Sequence, residues 1–366
     1  MTRTIKQAAE ESQKTKTSKM RMTTALGTDF WNDSCALDEL GEAVENGAVG
    51  ATSNPVIVYS VVHENRGKWI PVLDKIIREN GQDGEDEIAW KLIETIGKEA
   101  AAVLEPVYRK TAGKKGFLSV QVNPKFYRNA EAMTAHAMKL SSIAPNIAIK
   151  VPATETGLAA MEKIIAGGVN VNATVSFSVS QAVAVAEVFE KGLAKAGAGG
   201  VDMSKMHPYV TIMVGRVDDL LKRAMEKENI SIDPGYLNWG GVAVFKKAYQ
   251  VFKEKKYRST LLAAAYRHVM HWSELTGDNV ILSIPYQWWK KFNASDVTPA
   301  MTIENPVDGK IAGELYRKFA DFRRAYDVTG MKPGEFARYG ASVHTLNQFL
   351  GGYQKLLELV RERMFA

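Results

Sequence analysis

Short apolar runs, separated by longer stretches of helical spacing, set the pattern of this chain. The runs fall at 23–31, 47–55, 116–124, 146–154, 169–177, 208–216, 259–268 and 279–285. Each is short for a helix, and the most apolar of them predict strands buried on both faces of a parallel sheet. Between them apolar positions recur three or four apart: Ile88, Leu92, Ile96, Ala100, Val103 and Val107 make one helical face. Further helices are predicted over 130–142, 157–165, 181–194, 217–227 and 243–254. Short strands alternating with helices across 23–290 predict an α/β fold, a closed parallel (β/α)8 TIM barrel. A doubly wound open sheet is the rival. It lacks its marker, since no Gly-x-Gly-x-x-Gly follows a strand and the Gly/Ala cluster at 196–200 precedes one. One barrel domain is expected over 21–366, after a polar leader over 1–20. From about 291 a helical extension is expected, ending in an amphipathic helix over 342–365 marked by Val343, Leu346, Phe349, Tyr353, Leu357 and Val360.

The 366 residues carry 47 basic and 41 acidic side chains, a net charge of +6. The basic residues are scattered and form no face shared with aromatics, which argues against nucleic acid and leaves a field suited to a small anion. Arg3, Lys6, Lys14, Lys16 and Lys19 stand in the leader without an apolar core, so it does not read as a secretory signal, and Glu10 and Glu11 argue against a transit peptide. No apolar run is long enough to cross a bilayer, so no membrane partner is expected. The single cysteine, Cys35, excludes an intrachain disulfide and fits a reducing, cytoplasmic setting; a small buried hydrophobe is its expected role. No His-x-x-x-His spacing occurs, and neither metal nor cofactor is expected.

The polar residues of the runs gather at their carboxyl ends, where a barrel of this kind does its chemistry. Lys150 lies within the apolar run Asn146-Ile147-Ala148-Ile149-Lys150-Val151-Pro152. Burial disfavours its charged form, and the neutral amine can attack a ketone and form a Schiff base. A snorkelling lysine at a strand end is the alternative. Asp33 follows the first run, Thr52 and Asn54 close the second, Gln121 the third, and Thr211 and Arg216 fall on the sixth. Asn172, Thr174 and Ser176 alternate along the fifth and are expected to share one face. Arg267 and His268 end the seventh. Asp33 is placed to move protons, Asn54 and Asn172 to bind hydroxyls, and Arg216 with Arg267 to fork a phosphate. Each has an ordinary alternative: a helix cap for Asp33, a turn for Asn54, a surface ion pair for either arginine.

With these residues in order, the chain resembles the transaldolase family over about 20–290. The motifs are Ala51-Thr52-Ser53-Asn54-Pro55, Ile149-Lys150-Val151-Pro152-Ala153-Thr154, Asn170 to Ser178 with Gln181-Ala182, and Val214-Gly215-Arg216-Val217-Asp218-Asp219. The resemblance implies a Schiff base on Lys150, proton transfer by Asp33 (with Asp29 as the alternative), and a water held by Thr174. It further implies substrate binding at Asn54, Asn172, Arg216 and Arg267; Thr52, Ser176 and Thr211, from their place on the same rim, are expected to bind substrate as well. The implied reaction moves a dihydroxyacetone unit from a ketose phosphate, such as fructose 6-phosphate or sedoheptulose 7-phosphate, to an aldose phosphate. Three positions depart from the family pattern. Gln121 stands where a glutamate usually helps activate the water; Met213 stands where the aldolases of the family carry a tyrosine; Ala265 stands for a phosphate-binding serine. A fructose-6-phosphate aldolase-like lyase, a transaldolase for a modified ketose and a non-catalytic sugar-phosphate-binding barrel are the alternatives. The long final helix is expected either across the barrel mouth or against a second subunit of a homo-oligomer.

Overall fold

The computed structural model describes residues 18–366. Its strands are β1 (Thr28–Asn32), β2 (Ala48–Thr52), β3 (Phe117–Gln121), β4 (Ile147–Pro152), β5 (Val171–Thr174), β6 (Tyr209–Met213), β7 (Thr260–Ala264) and β8 (Val280–Ile284). They pair in parallel in sequence order, and β8 pairs back to β1, so the sheet is a closed barrel rather than an open one. Every strand but β1, β2 and β7 is buried along its whole length, as the apolar runs require. Helices between the strands cover the barrel, and their apolar faces join the outer sides of the strands in one continuous core.

Inside, Trp31, Phe117, Ala148, Tyr209, Leu262, Ala264 and Ile281 form a separate apolar plug. Trp31 meets Tyr209 edge to face, with ring centroids 4.9 Å apart. The plug leaves no room for a side chain at Gly50, where a Cβ would come within 2.3 Å of the Trp31 ring. Polar chemistry is thereby confined to the carboxyl half of the barrel.

The apolar runs overstate the strands at both ends. Thr23–Ala25, expected as the start of β1, closes the helix Lys19–Ala25. Met20 and Thr23, three apart, are both buried there, and the Trp272 Nε1–H donates to Thr23 Oγ1 at 2.9 Å. Tertiary contacts thus override the β-propensity of two threonines. Of the leader expected over 1–20, residues 1–17 lie outside the described residues, while Ser18 caps this helix. The helical section after β2 begins with two further helices, Pro55–Glu64 and Arg66–Glu79, which Asn54 and Asn65 cap through their side chains. The final helix, Gly340–Met364, lies against Pro55–Glu64 and Glu85–Lys110 at the barrel mouth. Bidentate pairs from Arg361 to Glu85 and from Arg363 to Asp74 tie down its end. Among the described residues no helix is long and apolar enough to cross a membrane.

Candidate active site

A cavity of about 890 Å³ opens at the carboxyl end of the barrel. Lys150, Asp33, Thr52, Asn54, Thr174, Thr211, Arg216 and Arg267 all line it. Lys150 is 6% exposed, and its Nζ donates to the Ser53 carbonyl at 3.3 Å. It points inward, so the snorkelling alternative fails. Burial lowers its pKa below the ordinary lysine value, and the charge of Asp33 only partly opposes that fall. Lys246 is just as buried, at 4%, yet its ammonium has Glu274 and the carbonyls of Thr302 and Asn305 around it at 2.9–3.0 Å. One lysine is a satisfied structural cation; the other is an under-coordinated amine in a cavity.

Asp33 follows β1 immediately, with its N–H donating to the Ile284 carbonyl at 3.1 Å. It caps no helix: the next one starts at Leu37, with Ala36 as its cap. The Thr52 hydroxyl donates to Asp33 Oδ1, which fixes the carboxylate over the cavity. Asp29 lies off the cavity lining. It pairs with Lys115 at 2.5 Å, below the plug, at the amino end of the barrel. Asn54 is both a cap and a cavity residue, since its Oδ1 accepts the Ile57 N–H at 3.0 Å while the residue lines the cavity. Cys35 is buried beside this group, and burial pushes its thiol up to about 12, so it stays uncharged.

Gln121, Lys150 and Asn172 stand in one register across β3, β4 and β5. Asn172 is fully buried and lies off the cavity lining: its amide donates to Ser119 Oγ at 3.1 Å and accepts from Thr211 Oγ1 at 2.7 Å. Gln121 is likewise outside the main lining, and among the described residues its buried Oε1 has no partner. The expected alternation of Asn172, Thr174 and Ser176 breaks after Thr174. There β5 ends, and Val175 takes a left-handed φ of 53°. Ser176 therefore leaves the row; its buried hydroxyl is unpartnered among the described residues.

The arginines also sit beyond their strands. Arg216 is in the first turn of the helix Val214–Glu228, not on β6, and Arg267 follows β7 across Ala265, whose φ is 65°. Gly215 lets them meet: a Cβ there would lie 2.0 Å from the Ala265 carbonyl oxygen and 2.7 Å from Arg267 Cγ. Arg267 grips Asp219 through Nε at 3.0 Å and Nη2 at 2.7 Å, and its Nη1 donates to the Tyr266 carbonyl at 2.9 Å. Arg216 reaches Asp219 only at 3.8 Å, and its buried Nε has no partner among the described residues. Burial and the neighbouring Arg267 both lower its pKa. Two guanidiniums share one carboxylate beside the cavity, an arrangement that favours a second anion.

Sequence reasoning missed several cavity residues. Tyr266 and Ser283 line the cavity with buried hydroxyls that are unpartnered among the described residues. Burial raises the Tyr266 phenol well above its usual range, and the charge of Asp33 raises it further. Glu39, Glu64 and Tyr286 line the outer part, and Gln348, Phe349 and Lys355 of the final helix complete the wall. These residues come from helices and loops whose seats are set by packing, so no local pattern marks them. His268 and His271, an i,i+3 pair tighter than His-x-x-x-His, meet on Asp218.

Over residues 30–327 the chain matches the family model described as transaldolase/fructose-6-phosphate aldolase. The chain belongs to that family. Its similar relatives include "Transaldolase 2" of Streptomyces coelicolor, 34% identical over 209 residues, a match covering 56% of this chain and 55% of the relative. "Transaldolase 1" of Streptomyces avermitilis is 31% identical over 225 residues, 60% of this chain and 58% of that protein. "Transaldolase" of Mycobacterium ulcerans is 29% identical over 238 residues, 63% of each. The chain thus spans less than two thirds of the length of these relatives.

Proposed function

We propose that the protein is a transaldolase that moves a dihydroxyacetone unit between sugar phosphates through a Schiff base on Lys150, with no cofactor. The observation that carries this is the buried, under-coordinated Lys150 amine in the cavity, in the field of Asp33. The neutral amine attacks the C2 carbonyl of the ketose, and Asp33 supplies and removes the protons as the carbinolamine loses water to the imine. Asp33 then takes the proton of the C4 hydroxyl while the C3–C4 bond breaks. The aldose leaves, and its bonding pair stays on the enzyme as an enamine. An aldose phosphate acceptor takes up that pair in a new carbon–carbon bond, its oxygen gains the proton from Asp33, and water hydrolyses the imine.

The other residues take supporting roles. Thr52 orients Asp33; Thr174 holds the water and Asn54 binds hydroxyls, while Gln121 and Asn172 stand off the main lining in register with Lys150 and support that wall, Asn172 hydrogen-bonded to Thr211. Arg216 and Arg267 receive the phosphate, with the Arg216 Nε and the shared Asp219 as the support for that role. Ser176, out of line with Thr174, acts at most through the backbone, where its carbonyl accepts the Met213 N–H at 2.9 Å. Exchange of pentose and hexose phosphates in the cytoplasm is the setting this reading implies, and the buried free thiol of Cys35 supports it.

Borohydride reduction with fructose 6-phosphate should trap a dihydroxyacetone adduct on Lys150, and Lys150→Met should abolish it. Absence of any mass gain at Lys150 would overturn the mechanism. A second reading, a lyase releasing free dihydroxyacetone, is favoured by Gln121, which can hold a water but cannot take its proton. Donor cleavage without an acceptor aldehyde would select it.

A further inference from the structure

Asp218, His268 and His271 form a polar cluster that the proposed reaction leaves unused. Asp218 Oδ1 accepts the Gly241 N–H at 2.8 Å, and Oδ2 faces Nε2 of both His268 and His271 at 2.9 Å. Asp218 and His271 are wholly buried. Burial by itself would raise the Asp218 carboxyl, but the hydrogen bonds from His268, His271 and Gly241 outweigh it and hold it at about 2.

The far side of His271 reaches the arginines. Its Nδ1 accepts the Arg267 backbone N–H at 3.1 Å. An imidazole that accepts at Nδ1 and donates at Nε2 is neutral, with its tautomer fixed. A metal on the His271 Nε2 would displace that proton, and the neutral ring would then carry its N–H at Nδ1, against the donating Arg267 N–H. The cluster is therefore a hydrogen-bond relay and not a metal centre. Consecutive aspartates hold Arg267 at both ends: Asp219 its guanidinium, and Asp218, through His271, its backbone. Asp218 also lies two residues beyond Arg216 on the same helix.

We infer that Asp218 is a positioning residue for an anion-binding arginine pair, acting through His271 to set the spacing of Arg267 and Arg216 before the anion arrives. This rests on the reading of those arginines as the phosphate site. Asp218→Asn leaves one side-chain oxygen for three N–H donors. His271 then changes tautomer, its Nδ1–H opposes the Arg267 N–H, and the loop after β7 shifts.

The test is calorimetric binding of inorganic phosphate to the whole chain, together with turnover of fructose 6-phosphate and of unphosphorylated fructose. Asp218→Asn is expected to weaken phosphate binding about tenfold and to raise KM for the phosphorylated donor, with little change in kcat for fructose. His271→Asn, which keeps an acceptor for the Arg267 N–H, should retain most of the phosphate affinity that His271→Ala loses. That pair carries the test alone should Asp218→Asn not fold. Nitrogen-15 spectra of the native protein should show His271 as the Nε2–H tautomer. An unchanged phosphate affinity in folded Asp218→Asn, an equal loss on both donors, or an Nδ1–H tautomer overturns the inference. Failure of the native protein to bind phosphate removes the clamp and this inference together. Phosphate binding without borohydride trapping removes only the transaldolase reading.

Discussion

Gly215→Ala tests how closely the helix after β6 must approach the loop after β7. The added Cβ would stand 2.0 Å from the Ala265 carbonyl oxygen and 2.7 Å from Arg267 Cγ. Ordinary contact begins near ~3.5 Å, so the two segments must part by about 1.5 Å at that point. Neither yields easily. Ala265 is already left-handed at a φ of 65°, and Arg267 is tied to Asp219, His271 and the Tyr266 carbonyl. Overpacking of this kind costs about 1–3 kcal/mol, a drop of a few degrees in Tm. An ångström-scale error between two groups that must grip one phosphate costs on the order of 10²-fold in kcat/KM. Scanning calorimetry gives the first quantity, and steady-state kinetics on fructose 6-phosphate against unphosphorylated fructose gives the second. The expected loss falls on the phosphorylated donor. An unchanged Tm with unchanged KM would refute the close-approach argument, and an equal loss on both donors would place the damage at Lys150 instead of at the arginines.

Three further outcomes follow from groups already described. The lowered pKa of Lys150 means that its reactive neutral form grows as pH rises through a value below the ordinary 10.5. Reductive alkylation of Lys150 against pH should therefore reach half its maximum below 10.5, and lower again in Asp33→Asn, because the Asp33 charge opposes the fall; a half-point at or above 10.5 refutes this. Asp218, held at about 2 against the usual 3.8, contributes stability that is fully present above its unfolded pKa and lost as pH falls from there through about 2. Its share is on the order of 2 kcal/mol, and denaturant titrations of Asp218→Asn should show a flatter acid limb. Gly50→Ala drives a Cβ to 2.3 Å from the packed Trp31 ring; it should cost up to about 3 kcal/mol in chemical denaturation while leaving turnover nearly unchanged below the melting transition, and native-like stability would show that the plug can yield.

The sequence by itself determined the barrel, the strand that carries Lys150 and the polar rim, because apolar period and residue type are local properties. Strand runs too short for helices, alternating with helical stretches, admit few topologies, and the lysine set in such a run was marked by its neighbours, although only the structure shows its side chain pointing inward. Local pattern also led astray in identifiable places. Thr23–Ala25 read as strand because β-branched residues favour it, yet Met20 and Thr23 are buried on one helical face, where Trp272 donates to Thr23 and Asn293 accepts the Met20 N–H. Arg216 read as the end of β6, although the chain turns into a helix at Val214. The row from Asn172 to Ser176 read as one face until a left-handed Val175 broke it. What only the tertiary structure decided is which groups meet across long separations. Asp33 rather than Asp29 shares the cavity with Lys150, because Lys115 takes Asp29 at the other end of the barrel. The final helix lines the cavity mouth, and Asp218 with His271 holds Arg267 from behind. Those contacts depend on how deep each strand stands in the ring and how near two backbones can come, quantities fixed by packing among distant residues and written in no single stretch of the chain.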